Sequence, residues 1–212
     1  MFINIDNQKV EVIITKKKGN KNTYLRVKED LKLYVTTSFF MTEKKIKEII
    51  DENIDSIVRM YQKQNYKQEL KQNFYYLGKK YDVIKTNSKE VLFGEEKIFV
   101  PADFDGDKWL KKQATKLFKE RLDYWYSNFD REIPYPSLTI RKMTSRWGVC
   151  NSKLTRVTLN LELMKKDIAC LDYVIVHELS HFIEMNHSNR FWKVVEANYP
   201  KYKEVRKVMK NY

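Results

Sequence analysis

The chain has 212 residues, 42% hydrophobic and 14% aromatic, which supplies a sizeable core and excludes wholesale disorder. No apolar run approaches the ~20 residues that span a bilayer, and the opening MFINIDNQKV lacks a basic-then-apolar leader pattern, so a cytoplasmic location without a membrane span is expected. The net charge of +13 raises a nucleic-acid partner, yet 32 of the 41 basic residues are lysine, spread evenly without a basic block, which fits a solvated Lys-rich surface better.

In chain order, residues 2–14 alternate as a strand or as a hairpin around Asp6-Asn7. Tyr24 to Val27 and Leu31 to Val35 alternate in the same period, joined by a polar Lys28-Glu29-Asp30 turn. From Thr42, a plausible N-cap, Ile46, Ile49, Ile50, Ile54, Ile57, Val58 and Tyr61 recur at helical spacing. Phe74 to Leu77 and Tyr81 to Ile84 flank Gly78-Lys79-Lys80 as a hairpin, and Val91 to Phe93 and Lys97 to Val100 flank a turn at Gly94. The acidic, turn-rich stretch 101–107 is the expected linker. It divides the chain into 1–106, a mixed sheet with one amphipathic helix serving as scaffold or substrate platform, and 107–212, the domain that carries the chemistry.

Beyond it, Trp109 to Tyr126 form a long amphipathic helix, stopped by Ile133-Pro134-Tyr135-Pro136. Leu138 to Ile140 is a strand, 144–152 a loop, and Arg156 to Leu161 a second strand. That second strand is expected to offer a free edge to an extended peptide, an ordinary internal strand being the equal alternative. Asp167 caps a helix with Ile168, Leu171, Ile175, Leu179 and Phe182 as its buried stripe. A short helix with Phe191, Trp192 and Val195 follows, then a basic terminal helix opened by Pro200 and ending at Tyr212. The fold class is α+β: a strand-rich N-terminal region, then a long helix, a small sheet and the helix capped by Asp167.

All three histidines of the chain fall in one eleven-residue window, His177-Glu178-Leu179-Ser180-His181 and then His187. Residues four apart share a helix face, so both imidazoles of this H-E-x-x-H can reach one ion at ~2.0–2.1 Å. Glu178, about a quarter-turn round, can touch a water beside the ion without displacing it. On a straight helix His187 would rise about 9 Å past His181 and point elsewhere. It joins the site only if the chain folds back. Asn186 tolerates the left-handed conformation that such a reversal uses, and Ser188 reads as the N-cap of the next helix. Long zincin signatures also place a third histidine six residues after the second, with Gly where Glu184 stands here. Three histidines plus water complete a catalytic zinc site, so Cys150 and Cys170 read as ordinary reduced cysteines.

Ser145-Arg146-Trp147-Gly148-x-Cys150, Leu159-Asn160, Asp172-Tyr173-Val174 and Asn186-His187-Ser188-x-Arg190-Phe191-Trp192, together with the H-E-x-x-H, resemble the YgjP-like metallopeptidase family, which is zincin-like and related in style to SprT-type peptidases. The resemblance is clear over roughly residues 107–212; Val149 departs from the small Ser of many members. It implies His177, His181 and His187 as metal ligands and Glu178 as the catalytic carboxylate.

The expected activity is that of a zinc-dependent hydrolase with one zinc per chain, most simply a peptidase acting on peptides or proteins, with Glu178 as general base. Arg146, Tyr173 and Arg190 are candidates for contacts to substrate or transition state. Against this, Arg146 and Trp147 read equally as loop packing, Arg190 as a cap or ion-pair residue, and Trp192 as core. The alternatives are a metal-dependent hydrolase of phosphate-containing substrates such as nucleotides, and a nucleic-acid-associated binding protein with a structural metal. A site with one open position disfavours the last.

Overall fold

The computed structural model describes residues 1–210, without the side chains of Leu70, Lys71 and Gln72; the expected helix end at Tyr212 lies outside the described residues. The chain forms two compact units, residues 1–72 and 73–210.

In the first unit, β1 (Phe2–Ile5) and β2 (Gln8–Lys17) form the hairpin expected at Asp6-Asn7, with φ of 48° and 64° at those two residues. Asp and Asn tolerate that left-handed geometry, which matches the twist of a two-residue turn. β3 (Tyr24–Val27) and β4 (Leu33–Ser38) complete a sheet ordered β1-β2-β4-β3. Alternate residues of β4, namely Leu33, Val35 and Thr37, point into the core. Thr42 caps α1 (Glu43–Glu52), its hydroxyl accepting from the Lys45 N–H at 3.3 Å. The single helix expected here is two: Asn53 ends α1, its side-chain amide donating to the Ile49 carbonyl at 2.8 Å, and α2 (Ile54–Gln72) starts afresh. Ile46, Ile50, Ile57 and Tyr61 close the core over Val10, Val12 and Val35.

The second unit opens with β5 (Phe74–Tyr76), β6 (Lys79–Thr86), β7 (Leu92–Phe93) and β8 (Lys97–Pro101), in the order β5-β6-β8-β7. These strands belong with the C-terminal elements, so the expected division at 106–107 falls inside this unit. The tight turn Leu77-Gly78 shows why. The Leu77 N–H donates to the Met164 carbonyl at 2.8 Å, and a Cβ on Gly78 would meet the Asp167 nitrogen at 3.0 Å. Phe74 and Tyr76 also pack on Trp109, with ring centroids 6.0 and 5.1 Å away. The presumed linker is a turn whose Asp105 caps α3 (Gly106–Ser127), accepting from Lys108 N–H at 3.0 Å.

β9 (Ser137–Arg141), β10 (Gly148–Asn151) and β11 (Arg156–Asn160) form a second sheet, ordered β10-β11-β9. The stretch 144–152, expected as loop throughout, thus contains a strand. Its hairpin with β11, together with parallel pairing of β11 to β9, makes β11 the central strand; β11 offers no free edge to a peptide, and β10 is the outer strand on that side. A 3₁₀ turn (Leu161–Lys165) leads to α4 (Ile168–Ser180), capped by Asp167 as expected. This helix is enclosed on nearly all sides, with every residue from Cys170 to Val176 buried, as a central core helix must be. Arg121 on α3 makes a two-pronged ion pair with the buried Asp172 on α4, both contacts at 2.7 Å. α5 (Asn189–Asn198) and α6 (Tyr202–Lys210) complete the unit. Among the described residues no helix is long and apolar enough to cross a membrane.

Candidate metal centre

His177 lies in the last turn of α4, and His181 is the residue that ends it. The Ser180 hydroxyl back-bonds to the Val176 carbonyl at 2.7 Å, and the His181 Nδ1 meets the Glu184 carbonyl at 3.1 Å. Such local bonds compete with continuation of a helix. The reversal therefore begins directly after His181 rather than at Asn186, which has no left-handed φ. Asn186 acts instead through its side chain, whose oxygen accepts from the Ser188 N–H at 3.1 Å. Ser188 is the expected cap of α5.

The fold-back brings His187 to its partners. The three imidazole centroids form a nearly equilateral triangle, His177–His181 4.9 Å, His177–His187 5.0 Å and His181–His187 4.9 Å. One nitrogen from each ring lies within 4.8 Å of the others. The Nε2 atoms of His177 and His187 are 3.0 Å apart. That is close to the ~3.3 Å edge of a tetrahedron with metal–nitrogen bonds of ~2.0–2.1 Å. The Phe191 ring, fully buried, sits 4.9, 4.5 and 4.9 Å from His177, His181 and His187, an apolar floor under the triangle. Burial pushes the His177 pKa down to about 3, helped by the neighbouring His181, His187 and Arg206, and lowers that of His181 as well. Both rings are thus neutral at pH 7, as metal ligation requires. An Nδ1–H on His181, bonded to the Glu184 carbonyl, leaves its Nε2 lone pair for the shared centre. This donor set fits a zinc ion.

Glu178 is 5% exposed. Burial raises its pKa to about 8, opposed by the Cys150 backbone N–H, which donates to the carboxylate, and by the charge of Arg146. β10 runs hard against this side chain: a Cβ on Gly148 would come 2.5 Å from Glu178 Oε1. The loop before β10 is clamped by Asn160. Its side-chain amide donates to the Met143 and Arg146 carbonyls, both at 2.8 Å, while its oxygen accepts from the N–H groups of Met143 and Glu162, both at 3.2 Å.

A cleft of about 250 Å³ opens on His177 and Glu178, walled by Trp147 and Gly148, by Tyr173 and Val174, and by Arg206, Met209 and Lys210 of α6. Of the residues singled out from sequence, Arg146 is exposed and acts on Glu178 through its charge. Tyr173 lines the cleft, its ring 5.8 Å from that of His177, and burial pushes its hydroxyl up to about 12. Arg190 is 84% exposed, with its Nε 3.8 Å from Glu184, and does not line the cleft. Trp192 is half-buried and stacks between His187 (5.7 Å) and Tyr202 (5.4 Å). The Cys150 thiol is pushed up to about 12 by burial and by Glu178, so it stays protonated and is a poor ligand.

Gly148, Asn160, Phe191 and Arg206 gain site roles that sequence reasoning did not assign. A Gly inside a strand signals close backbone approach, and with only five glycines in the chain that signal was available for Gly148. Nothing local marks Arg206.

Two solved structures show limited similarity. The crystal structure of the metallopeptidase zymogen of Pyrococcus abyssi abylysin is 22% identical, with a TM-score of 0.40, over 43% of this chain and 90% of that one. That of the metallopeptidase zymogen of Methanocaldococcus jannaschii jannalysin is 24% identical, with a TM-score of 0.37, over 44% and 94%. No curated protein matches the sequence. The YgjP-like metallopeptidase domain, in contrast, matches residues 21–212, nearly the whole sequence, and the chain belongs to that family.

Proposed function

We propose that the protein is a zinc-dependent peptidase in which His177, His181 and His187 hold one zinc ion and Glu178 is the general base. The observation that carries this reading is the triangle of imidazoles, with centroids 4.9 to 5.0 Å apart, one of which, His177, lines the same cleft as a buried carboxyl. A zinc ion bound there would supply Lewis acidity, polarising a peptide carbonyl and lowering the pKa of water towards neutrality. Glu178 takes the proton of the attacking water and passes it to the leaving amine. A carboxyl with a pKa of about 8 is suited to both transfers, since the best acid–base groups titrate near the working pH. Tyr173, whose hydroxyl stays protonated, is the candidate donor to the developing oxyanion. Phe191 fixes the three rings from below and keeps that side dry. The family assignment supports peptides or proteins as substrates, and two free cysteines suit the reducing cytoplasm.

Metal analysis and hydrolysis of quenched peptides test the reading together. One zinc per chain is expected, lost in His187→Ala. Glu178→Gln should keep the zinc and lose hydrolysis by ~10²-fold or more. Equal activity in Glu178→Gln would end the assignment of Glu178.

A further inference from the structure

The wall of the cleft contributed by α6 is cationic. Arg206 and Lys210 project from it, and neither has a carboxylate partner among the described residues. Among the described residues the only carboxyl in the cleft lining is Glu178, which is buried and takes the Cys150 N–H on the β10 side. Arg206 is held in place: its guanidinium lies over the Trp192 ring, 4.3 Å from the centroid, and Trp192 is itself stacked on Tyr202 at 5.4 Å. A planar, stacked guanidinium that no carboxylate of the described residues engages is preorganised for bidentate pairing with a carboxylate.

Its place relative to the histidines sets what it can reach. The guanidinium is 4.3 Å from Trp192, whose centroid is 5.8 Å from that of His177, so the two groups are at most about 10 Å apart. An extended peptide advances ~3.3–3.6 Å per residue. A bond cleaved at the triad would thus leave a substrate group one to three residues away beside Arg206.

Resting on the peptidase reading, we propose that Arg206 is a specificity residue that binds a substrate carboxylate, so that the cleft favours peptides with a negative charge one to three residues from the cleaved bond. That carboxylate is either an Asp or Glu side chain or the free C-terminus of the peptide.

The test uses the full zinc-loaded chain and quenched peptides that differ only by Glu or Gln at those positions, each made with a free and with an amidated C-terminus. Wild type should cleave the carboxylate form at least tenfold faster in kcat/KM. Dependence on Glu over Gln identifies a side chain as the source; dependence on the free terminus identifies the terminal carboxylate. Arg206→Gln should bring the ratio close to one, mainly through KM, whereas Lys207→Gln, the same charge change away from the cleft, should leave it intact. Equal cleavage of all four peptides overturns the proposal. So does a loss in Arg206→Gln that is uniform across the peptides, or a loss of preference in Lys207→Gln as large as that in Arg206→Gln. A binding arm separates this inference from the peptidase reading: fluorescence anisotropy of the same peptides, labelled, on the zinc-loaded Glu178→Gln variant with and without Arg206→Gln. Carboxylate preference there that vanishes with Arg206 sustains the inference even if wild type cleaves no peptide. Its absence overturns the inference whatever the turnover.

Discussion

Gly148→Ala is the sharpest probe of how the site is built. The added Cβ would fall 2.5 Å from Glu178 Oε1, 2.7 Å from Cγ and 2.8 Å from Cδ. The closest approach is about 0.9 Å short of ordinary contact. Glu178 cannot yield freely, because it is 5% exposed and held by the Cys150 N–H of the same strand. Either the carboxylate or β10 must move by most of an ångström. A displacement of ~1 Å at a reacting group costs about 10²-fold in rate, and overpacking costs ~1–3 kcal/mol of stability. His177 and His181 stand in the last turn and at the end of α4, His187 in the turn before α5, and the three atoms nearest the new methyl all belong to Glu178, so zinc content should hold. The expected result is a stably folded, zinc-replete variant with kcat lowered about a hundredfold, read from peptide hydrolysis, metal analysis and a thermal melt. Wild-type kcat in that variant would refute the claim that β10 sets the position of Glu178.

Two further outcomes follow from groups outside the cleft. Arg121→Met leaves the Asp172 carboxylate buried on α4 without its two-pronged partner; the loss should be on the order of 3 kcal/mol in urea unfolding, and Asp172→Met in the same chain should restore most of it. Lys166 is 1% exposed, with its Nζ 5.6 Å from the Trp147 centroid, and burial pulls its pKa from 10.5 down to about 7. Between those values the unfolded chain holds the proton and the folded chain does not, so stability from this group rises with pH, by up to about 1.4 kcal/mol per unit. Lys166→Met should flatten that rise between about pH 7.5 and 9 in denaturant titrations; an unchanged slope would show that the folded Lys166 remains charged.

What was legible in the sequence was whatever depends on short spacing. Hairpins at Asp6-Asn7 and Gly78, caps at Thr42, Asp167 and Ser188, and the shared face of His177 and His181 are set within a few residues, where local sterics and hydrogen bonds decide the outcome. Spacing predicts the reversal before His187 but not its position. Asn186 is the residue type that suits a left-handed turn, whereas the Ser180 hydroxyl and the His181 ring, both bonded to backbone carbonyls, end the helix five residues earlier. The strand at 148–151 was hidden because Gly148 and Asn151 weaken strand propensity; pairing with β11 overrides it.

Of the residues that escape sequence reasoning, Gly148, Asn160 and Arg206 share a different property: each acts across a long separation. Asn160 is 17 residues from Met143, and Arg206 acts on Tyr173 and His177 from another helix. Spacing can nominate the atoms that meet a metal, because one helix and one turn bring them together. It cannot nominate what surrounds a substrate, because that wall is assembled from β10, α4 and α6, whose mutual placement is fixed only by packing. On the proposed reading the chemistry is therefore written in an eleven-residue window, while the choice of substrate is distributed over some sixty residues from Trp147 to Lys210. Substitutions at Arg206 should accordingly change which peptides are cleaved, and substitutions at His177, Glu178, His181 or His187 whether any are.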